Sequence, residues 1–136
     1  MIVYSENLKN ITPEMLEGFF AGWKKYPDKN KHLEILKNSD FIVIAMDDNK
    51  VIGFINAVSD KVLSAYIPLL EVLPEYQGRG IGTELVRRMK ILLKDFYMID
   101  VVCDEEQQKF YKKFGFKKFS SMVIRNYENQ KGIQNK

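Results

Sequence analysis

The sequence predicts an α/β fold with a central mixed β-sheet of about seven strands, flanked by about four helices. Apolar runs at 41–46 and 51–58 are separated by the turn sequence D-D-N-K, which is the pattern of an antiparallel hairpin. Further along, a strand leads through a glycine-rich turn into an amphipathic helix, and a short apolar run follows at 98–103. Hairpins followed by strand–helix–strand connections place antiparallel and parallel pairs in one sheet.

The first third of the chain predicts one strand and two helices. Residues 2–4 form the first strand. Thr12 can cap a helix that has Pro13 at its first position, and Pro27 ends that helix. Asp28 caps a second, shorter helix. The apolar positions that recur at helical spacing in the longer helix are Met15, Leu16, Phe19, Phe20 and Trp23.

The middle of the chain predicts one long strand and one long helix. The strand covers about 62–73, and the helix begins at the glycine turn. The helix carries one apolar stripe with charged side chains mostly outside it, as expected of a helix that packs on a sheet. The stripe consists of Ile81, Leu85, Met89, Leu92 and Phe96.

A buried strand and a short helix are predicted next. The strand at 98–103 is short and flanked by apolar residues, as expected for a buried central position. Asp104 and Gln107 have the spacing of a capping box, which opens a helix to Lys113. Gly115 ends that helix.

The end of the chain predicts a final hairpin, formed by 116–119 and 122–127. Residues 1–127 contain no repeat or linker, so we expect them to form a single domain. Residues 128–136 are polar and are expected to form a flexible tail.

The composition excludes several classes of protein. A net charge of +3 without a dense basic stripe argues against nucleic-acid binding. No run approaches the ~18 apolar residues of a membrane span, and no signal peptide is visible, so we expect a cytoplasmic protein without a membrane partner. One cysteine, Cys103, and one histidine, His32, leave no cluster of metal ligands, so no metal is expected. We expect His32 to be a surface residue.

The glycine turn Q-G-R-G-I-G, residues 77–82, is the most informative segment. It lacks the Gly-Lys-Ser/Thr of a P-loop, and its glycines do not have the spacing of the dinucleotide-binding fingerprint. Three glycines in five positions let the main chain approach an anion and direct N–H groups at it, beside a helix N-terminus. A phosphate is the usual ligand of such a turn; a plain tight turn is the alternative.

Two motifs resemble those of the GNAT superfamily of N-acetyltransferases. The run V-L-P-E-Y-Q-G-R-G-I-G, with Gln77, Gly80 and Gly82, resembles the acetyl-CoA motif of that superfamily. About thirty residues later, D-E-E-Q-Q-K-F-Y-K-K-F-G-F resembles its second motif. The predicted order of elements is also similar, so the resemblance covers nearly the whole chain. It implies direct transfer of an acetyl group from acetyl-CoA to a primary amine in a ternary complex.

The resemblance also implies a cofactor site. N–H groups at 78–83 would bind the CoA pyrophosphate, and the pantetheine would lie along the edge of the preceding strand. An N–H of Val72 or Leu73 would polarise the thioester carbonyl. The implied cofactor-binding residues are Leu70, Val72, Leu73, Gln77, Gly78, Arg79, Gly80, Ile81, Gly82, Thr83 and Asp104. Asp104 stands where the family often has Asn, and a carboxylate cannot donate as an amide does.

Two residues are candidates for catalysis. Tyr111 matches the family tyrosine that donates a proton or a hydrogen bond to the CoA thiolate; its alternative is a half-buried helix tyrosine. Glu71 is the candidate general base, because a charge within an apolar strand needs a reason to be there. Its alternative is an exposed or paired residue on the far face. Tyr66 and Asp100 are other candidates for the base.

The acceptor, a small-molecule amine or a peptide, is not indicated by any pattern. A CoA-binding sensor or interaction module without catalysis is the main alternative function, and an RNA-associated domain is a weaker one. The final hairpin is a possible edge for a homodimer.

Overall fold

The computed structural model describes residues 1–134, and a six-stranded mixed sheet forms its centre. The predicted fold class is therefore confirmed, with six strands in the described chain where about seven were expected. The strand order is β1-β2-β3-β4-β6, and β5 pairs with β3. Every pair is antiparallel except β4 with β6. The strands are β1 (Ile2–Ser5), β2 (Phe41–Asp47), β3 (Lys50–Ser59), β4 (Ser64–Ile67), β5 (Leu70–Val72) and β6 (Met98–Val101).

The described chain forms three α-helices, one fewer than the sequence predicts. They are α1 (Lys29–Lys37), α2 (Ile81–Leu92) and α3 (Gln108–Lys112). The Asp28 side chain caps α1 as expected, accepting from the Lys31 N–H at 2.8 Å. The apolar stripe of α2 packs on β2 and β3, where Leu85, Val86 and Met89 are fully buried.

The prediction of a long helix between Thr12 and Pro27 is wrong. Residues 13–16 form a single 3₁₀ turn, and the chain then takes positive φ angles of 92° at Gly18, 65° at Phe20 and 86° at Gly22. An α-helix needs negative φ throughout, so helical spacing of apolar residues is not sufficient here. The apolar side chains still pack on the sheet, because Phe19 and Phe20 are buried within an irregular loop.

The long strand predicted at 62–73 is divided into β4 and β5 by a bulge. Val58 faces Tyr66 and Ile55 faces Leu70, so three residues of one strand lie opposite two of the other. Beyond the bulge only β3 remains beside this strand, because β6 pairs with β4 alone, as far as Val101. The strands β5 and β6 therefore part.

The prediction of a final hairpin at 116–127 is also wrong. No strand forms within 116–134, and only a short 3₁₀ turn is present, at Tyr127–Asn129. Phe119 is 91% exposed and Met122 is 99% exposed, and no backbone–backbone hydrogen bond within residues 1–134 involves residues 116–125. Of the predicted tail, residues 135 and 136 lie outside the described residues.

Two local expectations around α3 have different outcomes. Gly115 ends the helix as predicted, with φ of 95° and its N–H donated to the Lys112 carbonyl at 3.1 Å. The capping box is wrong, because the Asp104 side chain makes no cap hydrogen bond and a 3₁₀ turn at Glu105–Gln107 precedes α3. Only the Asp104 carbonyl accepts, from the Gln107 N–H at 2.9 Å.

His32 is buried, contrary to expectation. It is 1% exposed on the inner face of α1, with ring centroids 5.2 Å from Phe19, 5.0 Å from Phe20 and 4.5 Å from Phe54. Burial lowers the pKa of its imidazole to about 4. No helix within residues 1–134 is both long enough and apolar enough to cross a membrane.

Candidate functional site

A cavity of about 1020 Å³ opens where β5 and β6 part. Its size is that of a site for a large ligand. The glycine turn and the start of α2 close one end, α3 forms a wall, and the loop containing Phe20 and Trp23 borders the other end. Most of the predicted site residues line it: Leu70, Glu71, Val72, Gln77, Gly78, Gly80, Ile81, Gly82, Thr83, Asp104 and Tyr111.

Two predicted cofactor residues do not line the cavity, Leu73 and Arg79. Leu73 is 1% exposed and is part of the core. The Arg79 guanidinium lies 5.0 Å from the centroid of the Tyr76 ring and donates to the Glu75 carbonyl at 3.4 Å. These contacts hold Arg79 on the outer side of the turn.

The main chain of β5 presents hydrogen-bonding groups to the cavity. The Leu73 N–H donates to the Ile52 carbonyl of β3 at 2.9 Å, and the Leu69 carbonyl accepts from the Asn56 N–H at 3.2 Å. Because alternate residues of an antiparallel strand face its partner, the main-chain groups of Leu70 and Val72 face the other way, into the cavity. The sequence analysis gave the N–H of Val72 or of Leu73 as the donor to a thioester carbonyl. Because the Leu73 N–H is bonded to β3, the Val72 N–H is the one that a ligand can reach.

The start of α2 is an uncapped helix N-terminus. Gly80 is the N-cap residue, with φ of 80°, and no side chain caps the helix. The first intrahelical bond runs from the Glu84 N–H to the Gly80 carbonyl at 3.1 Å, so the N–H groups of residues 81–83 are not used within the helix. Such groups, together with the helix dipole, favour an anion.

Two glycines keep space open around this N-terminus. A Cβ on Gly53 of β3 would lie 3.2 Å from Leu85 Cδ1 and 3.3 Å from Ile81 Cγ2, so a larger residue would require these α2 side chains to shift by a few tenths of an ångström. A Cβ on Gly82 would lie 3.8 Å from both Phe110 Cζ and Val72 Cγ2. That methyl would fit without a clash, but it would occupy space between α2 and β5 at the edge of the cavity.

Tyr111 is placed on α3 at the cavity wall. It is 8% exposed, and its ring packs against Phe110 and Phe116 at centroid distances of 5.1 Å and 5.6 Å. Burial, and secondarily Cys103, raises the pKa of the phenol to about 12. No hydrogen bond within residues 1–134 uses the Tyr111 hydroxyl, so its proton is available to a ligand.

Glu71 points from β5 toward the loop that borders the cavity. Its carboxylate accepts from the Phe20 N–H at 2.8 Å and from the Ala21 N–H at 3.2 Å. The exposed far-face position considered from the sequence is therefore not what the structure shows. A carboxylate has about four acceptor sites, so these two bonds leave others open.

The remaining charged residues near the turn are engaged elsewhere. Arg87 and Arg88 both donate to the Glu84 carboxylate, at 2.6–2.9 Å. Hydrogen bonds from these two guanidinium groups lower the pKa of the Glu84 carboxyl to about 2. Arg88 also lies 4.6 Å from the centroid of the Tyr4 ring. Within residues 1–134, no group of three His, Cys, Asp or Glu side chains is placed to hold a metal ion.

A sequence profile of the Acetyltransferase (GNAT) family matches residues 8–116, which span both motifs and most of the sheet. The chain belongs to the GNAT family. The resemblance seen in the two motifs is thereby confirmed, and the protein is an acetyltransferase by family.

Relatives of this GNAT protein agree with that assignment. An uncharacterised N-acetyltransferase, ycf52, of Pyropia yezoensis is 31% identical over 122 residues, which are 84% of this chain and 70% of the relative. A crystal structure assigned as an acetyltransferase of Deinococcus radiodurans is 41% identical, with a TM-score of 0.95 over 98% of this chain and 94% of that one. The aminoglycoside enzyme AAC(6')-Iy, solved with a CoA-containing bisubstrate analogue, shares the fold at 18% identity, with a TM-score of 0.68 over 93% and 97%.

One buried polar residue beside the GNAT site was not identified from the sequence. Asn56 of β3 is 2% exposed and lies beside the bulge. Its Oδ1 accepts from the Leu69 N–H at 3.1 Å, and its Nδ2 donates to the Ser39 hydroxyl at 3.0 Å. The Asn56 side chain therefore satisfies a main-chain donor at the point where the strands part. An amide within the apolar run 51–58 was the available signal.

Aromatic residues on the GNAT cavity were identified only in part. Phe20 and Trp23, which the sequence placed on the apolar face of a helix, wall the cavity from a loop. Phe54 lines it from β3, opposite Glu71, and periodicity alone could not separate it from other core residues. Val123, Arg125 and Tyr127 line it from the C-terminal segment.

Proposed function

We propose that this GNAT protein transfers an acetyl group from acetyl-CoA to a primary amine by direct attack within a ternary complex. One observation carries the proposal. The main-chain edge of β5, the uncapped N-terminus of α2 and the free hydroxyl of Tyr111 all face one cavity. Acetyl-CoA has a pyrophosphate that suits the N-terminus of α2 and an extended arm that suits the edge of β5. It also has a thioester, whose sulfur suits the Tyr111 hydroxyl.

The residues present fit acetyl-CoA on three counts. Unused N–H groups at 81–83 suit the pyrophosphate. The outward main-chain groups of Leu70 and the outward N–H of Val72 suit an extended arm that pairs like an added strand, while the Val72 carbonyl already accepts from the Gln77 side chain at 3.0 Å. AAC(6')-Iy, which has the same fold, was solved with a CoA-containing analogue, and this supports the same ligand here. When bound, acetyl-CoA supplies the acetyl group as an activated thioester.

The Val72 N–H would stabilise the negative charge that develops on the acetyl oxygen, as a fixed donor in a partly desolvated site. Tyr111 would donate to the departing sulfur. With a pKa of about 12, the phenol stays protonated at neutral pH. Because a simple thiol has a pKa near 8.5, full transfer of the phenol proton is uphill by about 5 kcal/mol. We therefore assign Tyr111 a hydrogen bond to the thiolate and not complete protonation.

Glu71 would accept the proton that the attacking amine loses, directly or through a water molecule. Its carboxylate lies on the cavity with two acceptor positions unused by the loop. It is also the anionic group among the aromatic residues Phe20, Trp23 and Phe54, so it would attract a cationic amine. A small-molecule amine or a peptide amine fits this end of the cavity, with Asp104 and Gln77 nearer the CoA arm.

The direct test measures thiol release from acetyl-CoA with a panel of polyamines, aminoglycosides, amino acids and peptides. We expect turnover with at least one amine class. Tight binding of acetyl-CoA with no turnover across the panel would instead support a CoA-binding sensor or interaction module. Binding of RNA that persists at moderate salt would support the weaker alternative.

The role of Tyr111 is tested by Tyr111→Phe, with Tyr26→Phe as the matched control, since Tyr26 is exposed and lies off the cavity. We expect kcat to fall by about 10²-fold in Tyr111→Phe, as for the loss of one fixed hydrogen-bond donor to developing charge, with the affinity for acetyl-CoA retained. Equal kcat in both variants would contradict the role.

The proposal also covers the compartment and the oligomeric state of the enzyme. The lone cysteine Cys103 favours a reducing compartment such as the cytoplasm, since proteins of oxidising compartments usually pair their cysteines. Association into a homodimer is also proposed, because residues 116–125 make no backbone–backbone hydrogen bond within residues 1–134 and their main chain is available to a second copy.

A further inference from the structure

The cavity has one cation on its lining that the acetyl-transfer chemistry does not use. Within residues 1–134, three charged residues line the cavity: Glu71, Asp104 and Arg125. Arg125 belongs to residues 116–127, here named the C-terminal segment. The preceding residue, Ile124, is 83% exposed, and alternate side chains of an extended chain point to opposite sides. Arg125 therefore lies on the cavity side of the segment.

The guanidinium of Arg125 has nearly all of its donors free. Its one hydrogen bond within residues 1–134 runs to the neighbouring Ile124 carbonyl at 3.4 Å, and it forms no ion pair there. The other three arginines of the chain are each held by a carboxylate or an aromatic ring. A guanidinium presents five N–H donors in a planar fork, which matches a carboxylate or a phosphate. Arg125 is therefore available to an anion in the cavity.

The pyrophosphate of acetyl-CoA does not require this cation. It already has suitable donors in the unused N–H groups of residues 81–83, at the end of the cavity closed by the glycine turn. The acceptor is the second ligand of the cavity, and Glu71 offers a carboxylate to its amine. An acceptor that carries an anionic group as well as an amine would use both Glu71 and Arg125.

The surroundings of the cavity favour an anionic ligand as well. Two segments that border the cavity, residues 20–26 and the C-terminal segment, contain no Asp or Glu. They carry four exposed lysines besides Arg125, and none of the four forms an ion pair within residues 1–134: Lys24, Lys25, Lys117 and Lys118. A border of one sign raises the local concentration of ligands of the opposite sign. An amine without an anionic group would be repelled by this border.

The size of the cavity favours a small acceptor. Cavities of ~300–1,000 Å³ hold one drug-sized ligand. This cavity of about 1020 Å³ would have to hold acetyl-CoA and the acceptor together. Aromatic rings of Phe20, Trp23 and Tyr127 line it and would contact the carbon skeleton of the acceptor.

We propose that the acceptor is a small primary amine that also carries a carboxylate or a phosphate, and that Arg125 binds this anionic group. The inference rests on the proposed acetyl transfer and names the class of amine. The amine faces Glu71, and the anionic group lies away from that carboxylate, at the guanidinium. Arg125 determines specificity and does not touch the reacting atoms. Amino acids and amino phosphates belong to this class.

The first test compares pairs of amines that differ in the anionic group alone. The pairs are phenylalanine with phenethylamine, lysine with cadaverine, and phosphoethanolamine with ethanolamine. We expect kcat/KM to be about tenfold or more higher for the anionic member of at least one pair, as for a gain of charge-assisted hydrogen bonds. The pair with the larger preference distinguishes a carboxylate from a phosphate. Turnover of amines without any such preference would overturn the inference and leave the acetyl transfer standing. Turnover of acidic peptides alone would overturn the small-molecule class.

The second test assigns the preference to Arg125. In Arg125→Gln the ratio of kcat/KM within the preferred pair should fall to about 1, and in Arg125→Glu it should reverse. The matched control is Arg87→Gln, since Arg87 is exposed, pairs with Glu84 and lies off the cavity. The control should keep the wild-type ratio. A higher KM for acetyl-CoA in Arg125→Gln, with the amine preference intact, would assign Arg125 to the cofactor and overturn the inference.

A binding measurement separates this inference from the acetyl transfer itself. Phenylalanine and phosphoethanolamine are titrated by calorimetry into the protein saturated with CoA, so no reaction occurs. We expect at least one of them to bind about tenfold or more weakly to Arg125→Gln than to the wild type. If this difference holds while no amine is acetylated, the anion site stands and the acetyl transfer fails. Equal binding to the two proteins, or no binding to either, would overturn the anion site.

Discussion

The carboxylate of Glu71 accepts the N–H of Phe20 at 2.8 Å, across fifty-one positions of sequence. Phe20 has a positive φ of 65°, which is unfavourable for an L-residue with a large side chain. The hydrogen bond therefore ties a strained loop to the strand that carries the proposed reactive edge. The aromatic wall of the cavity and β5 are connected as one unit.

We predict two separable effects of substituting Glu71. Glu71→Ala should lower the free energy of unfolding by about 2 kcal/mol, because the Phe20 N–H loses a charged acceptor. Glu71→Gln keeps an oxygen for that bond but lacks the charge, so kcat should fall while much of the stability is retained. Urea denaturation and steady-state acetylation measure the two effects. The control is Glu75→Gln, whose exposed pair with Lys50 at 3.7 Å should contribute little.

The outcomes at Glu71 discriminate between its roles. If Glu71→Gln keeps full kcat and its pH profile, Glu71 is an anchor of the loop and not the base. If Glu71→Ala is as stable as the wild type, the anchoring role is wrong.

Stability should fall in mild acid because of His32. Its pKa is lowered from 6.5 to about 4 by burial, so the unfolded chain takes up a proton below pH 6.5 while the folded chain stays neutral. The unfolded state then binds more protons, and the free energy of unfolding should decrease by about 3 kcal/mol as the pH falls from 6.5 to about 4. Urea denaturation at a series of pH values measures this loss.

His32→Leu is the variant that isolates this effect. Both ring nitrogens of His32 are buried without a hydrogen-bond partner in the described chain, so Leu should be tolerated at neutral pH. The stability of His32→Leu should then be much flatter between pH 6.5 and 4. The same acid loss in His32→Leu as in the wild type would assign it to carboxylates elsewhere.

The Asn56 side chain should couple stability to cofactor binding. Asn56→Ala leaves the Leu69 N–H at the bulge without its acceptor, so we expect a loss of about 2–3 kcal/mol in the free energy of unfolding. Because the bulge separates β5 from β6, the affinity for acetyl-CoA, measured by calorimetry, should also fall. Ser39→Ala removes the Nδ2 partner of Asn56, together with the bond from the Ser39 hydroxyl to the Ile35 carbonyl, and should leave that affinity near the wild-type value. Equal losses of affinity in both variants would contradict a specific role at the bulge.

Alanine substitution of the turn glycines should affect stability at Gly80 and the affinity for acetyl-CoA at Gly82. Gly80→Ala forces a Cβ into φ of 80°, which costs about 1–2 kcal/mol of stability. Gly82 has no positive φ, and Ala favours helices, so Gly82→Ala should fold with unchanged or higher stability. Its methyl narrows the space beside Val72, so acetyl-CoA should bind at least tenfold more weakly. Calorimetric binding unchanged in Gly82→Ala would show that this space is not used.

The elements predicted well are those with local signals. The hairpin of β2 and β3, the Asp28 cap, the helix after the glycine turn and the Gly115 stop each depend on neighbouring residues. The N-terminal helix failed because a long-range bond from Glu71 and three positive φ angles override helical spacing. The final hairpin failed because its apolar alternation does not specify which edge the segment pairs with.

In the candidate site, too, features set by neighbouring residues were predicted, and features set by strand pairing or long-range contacts were not. The glycine turn and Tyr111 were predicted from their residue types and spacing, and both line the cavity. Leu73 and Arg79 were also predicted to bind the cofactor but do not line the cavity, because strand register turns the Leu73 N–H toward β3 and stacking holds the Arg79 side chain against Tyr76. Asn56 and Phe54 were missed because their roles exist only through the pairing of β3 with β5.

The outward main-chain groups of Leu70 and Val72 have a consequence for evolution and inhibition. Every residue except proline presents the same N–H and C=O, so side chains at these positions can diverge between relatives while the recognition surface stays constant. The same surface does not distinguish one extended ligand from another. Short peptide mimics in an extended conformation should compete for the groove, and their selectivity would come from the less uniform aromatic end of the cavity.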